Sequence, residues 1–438
     1  MLILAVFLAG LLAYSLLSRL LETRGLTPQI WVLGLGLVVG ITPAGRAGVT
    51  TDLEALRTLG EAALILCLFV DAARIDIRAL RGTAQLPIRL LAIGLPLTIV
   101  AGTMAARIVL PGITLLEAIL LAVLVAPTDA ALGAAVVTSQ RLPLRIRQAL
   151  NVESGLNDGL VTPLVLVVAA AIIAGPAEGS SGWVAEAASA IGLGTIAGAV
   201  VGVAGALLLR SSIQRGWMLP GALWMTGPAL AFIAWLMASG LGGNAFIASF
   251  VAGLAVTATV GRVPTEVLGF GEVAGELLGM AVFFLFGVLA TDLLPFDPGV
   301  VAFAVLALVI ARPAPVAIAL VRTGLAPQSV AFLGWFGPRG LATIVLGIIA
   351  TDGGSTASAF APEVLAAAVL TVMLSVIAHG LSARPAVAAY ERFVKALPAD
   401  APEHDPTVEL HGRSRYPQAP SGIVANVGSG TNALPGSD

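Results

Sequence analysis

Leu124 to Val168 reads LVAPTDAALGAAVVTSQRLPLRIRQALNVESGLNDGLVTPLVLVV, and its reading decides the fold. Two apolar segments flank a short basic turn, yet Asp129, Glu153 and Asp158 lie inside them. Of the 438 residues, 58% are hydrophobic and 11% charged, with a mean hydropathy of +0.99. A soluble domain carries about 25% charged residues, so this chain cannot cover itself with a water-compatible surface. It is read as an all-α polytopic membrane protein. An ionisable side chain at mid-bilayer then costs roughly 2.5–3.5 kcal/mol on insertion scales, so each of the three acids needs a partner, water or a task.

The net charge of −2 offers nucleic acid no basic face. The single cysteine, Cys67, excludes a disulfide framework and a multi-cysteine metal site, and its apolar neighbours assign it to packing. No cofactor is expected. The opening stretch MLILAVFLAGLLAYSLLSRLLETRG has no basic residue ahead of its apolar run and no A-x-A site, which predicts a retained first helix. In GLGTIAGAVVG, Gly194, Gly198 and Gly202 recur every fourth residue, the small-xxx-small spacing of closely packed helices.

A span takes roughly 20 apolar residues, and by that measure the chain holds about thirteen. They fall near 1–18, 28–44, 53–73, 84–109, 113–139, 143–173, 183–211, 219–238, 243–260, 266–291, 299–321, 328–351 and 363–388. The loops after odd-numbered spans carry Arg19 and Arg24; Arg74, Arg78 and Arg81; Arg141, Arg145 and Arg147; Arg210 and Arg215; Arg262; and Arg322. The intervening loops hold Asp292, Asp297 and Asp352, with Arg46 and Arg107 as the main basic exceptions. Arginine-rich loops stay inside, so the N-terminus is expected outside and the C-terminus in the cytoplasm of a cell-membrane protein. Residues 1–396 form the transmembrane part. From about Leu397 the chain turns polar and rich in Pro, Gly and Ser, which predicts a disordered cytoplasmic tail over 397–438, with His404 and His411 solvated.

Span 5 is interrupted by APTD (Ala126 to Asp129) and span 12 by GWFGPRG (Gly334 to Gly340). Proline removes a backbone donor and crowds the preceding turn, so both helices should open there. An opened backbone survives in hydrocarbon only against protein or water. Splitting the chain into spans 1–6, a linking span 7 and spans 8–13 makes the broken helices corresponding members of two inverted repeats. Paired interruptions of this kind point to a transport site at the repeat interface, where the broken helices cross. Asp129 and Arg339 would neutralise the half-helix dipoles exposed at the breaks.

In NVESGLND, Glu153 and Asn157, and Ser154 and Asp158, stand four apart on adjoining stripes of span 6. Asp158 falls at mid-span. A hard monovalent cation needs several oxygens to replace its hydration shell. Asp158, Asp129, the Thr128 and Ser154 hydroxyls, and carbonyls freed at the span 5 break could supply them. Desolvation favours a protonated carboxyl and a nearby cation favours the ionised one, so a single Asp can hold a proton or a metal ion but not both. Arg312 in VIARPAPVAIAL is placed to neutralise Glu153 within the membrane.

APTDAALGAAV, ESGLNDG, the ARP around Arg312, GWFGPRGLATIVL and AHGLSA together resemble the sodium/proton exchanger superfamily, in its monovalent cation:proton antiporter branch. The similarity covers the whole membrane region. It implies that Asp158 alternates between proton and cation, that Thr128, Asp129 and Ser154 contribute ligands, that Glu153 and Arg312 form a buried structural pair, and that Arg339 marks the broken span 12. Asn157, where electrogenic relatives carry an acid, implies an electroneutral exchange of one proton per cation. The resemblance further implies a homodimer. Spans 1–3 and 7–10 would form its dimerisation part, and a core of about 84–173 and 299–388 would move as an elevator.

Two departures stand out: Gly155 replaces a commoner leucine, and TDAALG lacks the second proline of TDPVAV. Relatives often carry an acid in span 3. Asp71 in LFVDAARIDIRAL matches that motif, and Glu61 lies nearer mid-depth; either is a candidate gate or third acid. His379 is expected to pack or cap, or to tune the pH response. Glu272 and Glu276 are expected on an interfacial face. The favoured cargo is Na+ against H+, with K+ or Li+ as alternatives. A channel or symporter on the same scaffold is the second reading. An intramembrane aspartyl protease built on Asp129 and Asp158 would lack its GxGD pattern and leave Arg312 and Arg339 without a role.

Overall fold

The computed structural model describes residues 2–43, 53–75, 85–174, 181–293, 296–351 and 360–405. Arg46, Arg78, Arg81, Asp352 and His411 lie outside the described residues, as does the tail from 406 onward.

Thirteen spans appear among the described residues, close to their expected places except that α13, expected to end at 388, continues to Lys395. They are α1 (Leu2–Thr23), α2 (Pro28–Gly40), α3 (Leu53–Ala73), α4 (Gln85–Val109), α5a (Leu115–Val125) with the short α5b (Ala134–Val137), and α6 (Leu144–Ala174). There follow α7 (Ser181–Gln214), α8 (Thr226–Gly240), α9 (Ala245–Val260), α10 (Thr265–Ala290), α11a (Pro298–Val309) with α11b (Pro313–Ala319), α12a (Pro327–Trp335) with α12b (Leu341–Thr351), and α13 (Pro362–Lys395). Among the described residues eight helices are long and apolar enough to cross a bilayer; α2, α5a, α9 and α12b are shorter apolar helices.

The starts of these helices follow from local chemistry. Thr27 accepts from Ile30 N at α2, Asn244 from Ile247 N at α9 and Asp297 from Gly299 N at α11a, each satisfying an orphan donor of the first turn. Thr114 and Glu117 form a reciprocal capping box on α5a. Glu117 also accepts from Ala361 N (2.6 Å), which fastens the start of α13 to the start of α5a.

α2, α3 and α7 to α10 pack on one another, with α1 against α2; α4, α5, α11 and α13 form a second group joined by α6 and α12. The two groups meet where α3 and α9 lie against α6, and α3 and α10 against α12b. The glycine stripe behaves as its spacing predicts. A methyl group on Gly194, Gly198 or Gly202 would run into the backbone of Asn244, Ala248 or Ala252, so α7 lies directly against α9.

Three features depart from expectation. Span 11 is not continuous: Pro313 and Pro315 cannot donate to the helical ladder, and the helix pauses at residues 310–312. α4 carries a π turn over Leu90–Gly94 ahead of Pro96. The segment expected to begin the free tail instead packs on the membrane domain, with a 3-10 turn at Pro402–His404 and Glu403 only 2% exposed. His404 itself is exposed, as expected of a solvated side chain.

Candidate functional site

The two breaks meet. α5a ends at Val125 and α12a at Trp335, and the opened strands pass so closely that Asp129 N donates to Pro338 O (2.7 Å). Asp129 Oδ2 accepts from Leu341 N (3.0 Å), the first residue of α12b, and Oδ1 accepts from Ala131 N (2.7 Å) and Leu132 N (3.2 Å). Arg339 is 1% exposed and donates through Nη1 to Ala126 O and Pro127 O at the carbonyl end of α5a. Thr343 donates to Leu124 O (2.8 Å) of the same end. Each break thus lends its charged side chain to the open end of the other helix, a negative group at an amino end and a positive group at a carbonyl end. Gly337 and Gly340 permit the close approach, because a methyl group on either would collide with the Arg312 guanidinium or the Asp129 carboxylate.

α6 runs past this crossing. Asn157 Nδ2 donates to Thr128 Oγ1 (2.7 Å), and Thr128 Oγ1 shares a proton with Ser154 Oγ (2.9 Å). All three side chains are buried, and Asn157 Oδ1 has no hydrogen-bond partner among the described residues. One turn below, Arg312 makes a two-pronged pair with Glu153 (Nη1–Oε1 2.6 Å, Nη2–Oε2 3.0 Å), and both residues are 4% exposed. The pause in span 11 lets Arg312 reach this position.

His379 of α13 completes the bracing. Its Nε2 lies 2.8 Å from Trp335 O. Its Nδ1 lies 2.9 Å from Ser375 O and 3.1 Å from Ser375 Oγ, whose own oxygen accepts from Arg339 N (2.6 Å). A chain of contacts thus runs from Arg339 through Ser375 and His379 to Trp335. His379 caps α12a.

Asp158 opens, with Asp129, into a cavity at the meeting of the two helix groups. Asp71 of α3 and Glu272 and Glu276 of α10 line its other wall. About 40 Å³ is open to water centres, enough for two or three waters or a partly hydrated cation. Gln29, Ala131, Glu276 and Met280 are shared with a neighbouring cavity of about 260 Å³ that reaches Glu22 and Ser18 at the end of α1. Arg74 stands at the acidic wall, ion-paired with Glu272 and 3.8 Å from Asp71.

This architecture has close counterparts. The family model described as sodium/hydrogen exchanger, transmembrane, matches residues 3–389. The chain belongs to the sodium/hydrogen exchanger family. Among solved structures it resembles the sodium proton antiporter MjNhaP1 from Methanocaldococcus jannaschii at pH 8, at 19% identity and a TM-score of 0.66, over 87% of this chain and 99% of that one. An electron-microscopy map of the same antiporter matches at 18% identity with a TM-score of 0.66, over 88% of this chain and 97% of that one. Members of the family are membrane transporters, and this chain is a transporter rather than an enzyme.

Within this exchanger, Asp158, Asp129 and Asp71 face one cavity, and Thr128, Ser154 and Asn157 form one buried chain behind it. Glu61 is elsewhere, half-buried in an i,i+4 pair with Arg57 (2.8 Å). Three carbonyls at the span 5 break are already engaged: those of Ala126 and Pro127 by Arg339, and that of Leu124 by Thr343. Glu272 and Glu276, expected on an interfacial face, line the cavity instead. Their spacing on α10 put them on one face, but nothing in the sequence showed which neighbour that face would meet.

Proposed function

We propose that the chain exchanges a monovalent alkali cation, Na+ first among them, for H+. Asp158 is alternately protonated and cation-bound. The observation that carries this reading is the placing of Asp158: it is the one carboxylate of α6 that opens into a water-sized cavity beside both breaks, whereas Glu153 is consumed by Arg312. Thr128 and Ser154 offer hydroxyls from the buried chain they form with Asn157, whose Oδ1 is an oxygen that a cation or its water can use. Asp129 shares the cavity, but its two oxygens take three backbone N–H groups, so its larger part is to hold the crossing. Asp71 is the third acid, offered from the opposite wall.

With Asn rather than a second acid at 157, the site neutralises a single charge per cycle, and the exchange is electroneutral at one proton per cation. The group containing α4–α6 and α11–α13 moves as an elevator against α1–α3 and α7–α10, which form the dimerisation part of a homodimer in the cell membrane. The N-terminus is outside and the C-terminus cytoplasmic, in accord with the arginine distribution.

Purified protein in proteoliposomes tests this. An imposed Na+ gradient should drive proton movement of opposite sense with the membrane potential clamped at zero. Flux that requires a potential, or that runs in the same direction as the cation, would favour a channel or symporter. Repeating the gradient with K+ and Li+ fixes the cargo.

A further inference from the structure

The chain does not leave the membrane domain at the end of α13. Residues 396–405 turn back as a strap across one end of the helices that carry the site. Glu403, in a polar stretch where exposure is the rule, is 2% exposed. Its Oε1 accepts from Ala326 N (2.8 Å) and from Ser329 Oγ (2.6 Å), and Ser329 Oγ in turn accepts from the Tyr390 hydroxyl (2.7 Å) of α13. Arg145, in the first turn of α6, donates to Pro402 O and to Asp405 Oδ2 (2.6 Å). Pro402 packs on Gly324, whose φ of +78° makes the turn that presents Ala326. The strap therefore ties together the ends of α6, α12a and α13.

Ala326 is the N-cap position of α12a and has no side chain able to accept a hydrogen bond. Glu403, 77 residues away, instead takes the N–H of Ala326 itself, as the acid of a capping box does, and brings negative charge to the positive end of the helix. Asp129 does the same for α12b. Both halves of the broken helix are thus started by a carboxylate borrowed from a distant part of the chain.

We propose that Glu403 is a positioning residue for transport. α12a has only nine residues between the pinned Ala326 end and the Trp335 carbonyl held by His379. Immediately beyond lies the break whose Pro338 O holds Asp129 N and whose Arg339 holds Ala126 and Pro127, next to Thr128. Freeing the start of so short a helix lets it pivot about His379, and the shift is felt in the oxygens around the cation. The effect falls on cation affinity.

This inference rests on the exchange reading, and wild-type Na+-driven proton flux in proteoliposomes is its control; absence of that flux would sink the reading itself. With wild-type flux present, Glu403→Ala in the full chain should raise KM for Na+ about fivefold with kcat changed by less than about twofold, the equivalent of losing a net hydrogen bond at the pin. Glu403→Gln keeps a carbonyl oxygen facing Ala326 and Ser329 and should restore KM to within about twofold of wild type. A Glu403→Ala protein with wild-type KM, or a fall in kcat shared equally by the Ala and Gln variants, would overturn the proposal. If Glu403→Ala does not fold, Ser329→Ala removes one of the two bonds and is read the same way: a raised KM at steady kcat supports the pin, an unchanged KM overturns it.

Discussion

Asp129 and Arg339 cap each other's interrupted helix. The Asp129 carboxylate takes the first N–H of α12b, while the Arg339 guanidinium takes the Ala126 and Pro127 carbonyls just past the end of α5a, and the main chains are joined by Asp129 N to Pro338 O. Two opened helices in hydrocarbon would leave several polar groups without partners. Here the opposite charges settle them mutually, and the crossing becomes one unit.

A unit of this kind predicts non-additivity. Asp129→Asn and Arg339→Gln should each lower stability and transport, yet the double variant should lose less than the sum, with a coupling of about 0.5–3 kcal/mol. Thermal unfolding in detergent of the four proteins measures it. Gly340→Ala approaches the same contact from the other side, since its methyl group meets Asp129 Oδ2, and should imitate Asp129→Asn. Additive losses would mean that the breaks are braced independently.

Glu153 and Arg312 call for a different outcome. The pair is bidentate and 4% exposed at both residues, and it joins α6 to the pause in span 11. Removing one partner leaves the other charged and buried, a loss of about 3–5 kcal/mol. Glu153→Gln and Arg312→Gln should therefore fall clearly in Tm, with ion competition unaltered in whatever protein remains folded. An unmoved Tm would reassign Glu153 to the transport cycle.

Much of this site was legible because prolines and charges are rare in apolar spans. Pro127 and Pro338 marked both breaks, and the charges beside them pointed to neutralised half-helix dipoles but not to the exchange of caps between the two helices; Glu153 found Arg312 because few other cations lay at that depth. The pause in span 11 was also written in Pro313 and Pro315, although a hydrophobic run hides a gap of three residues. What could not be read were pairings between distant segments. Glu403 sits in a stretch whose composition says disorder, and its burial depends on Arg145, on Ala326 and Ser329, and on Tyr390 converging from three places. Glu61 and Asp71 are both acids of α3, and only packing separates the one beside Arg57 from the one on the cavity.

Asp158→Asn tests the centre of the scheme. The substitution keeps size and removes titration, so the protein should fold with a Tm near wild type while cation-driven proton flux falls to background. In the wild type the same competition requires the apparent KM for Na+ to climb about tenfold per pH unit once the medium is more acidic than the site's own ionisation, because one proton displaces one cation. Retained flux in the Asn variant would remove Asp158 from the mechanism.

Asn157→Asp probes the charge count. The Asn157 amide now donates to Thr128 Oγ1, which shares a proton with Ser154. An ionised carboxylate at 157 cannot donate, so Thr128 must turn its hydroxyl towards it, and Ser154 must then be the donor in the Thr128–Ser154 bond. The side chain is 1% exposed, and a second buried charge there is tolerable only with a proton or a cation in attendance. The variant should fold with a lower Tm and gain a second titrating step. Its exchange should begin to respond to membrane potential, measured as flux against a valinomycin-imposed potential. Wild-type flux should be indifferent to the same potential. A variant equally indifferent would show that residue 157 does not set the stoichiometry, and that the charge moved per cycle is decided by Asp71 or Asp129 across the cavity.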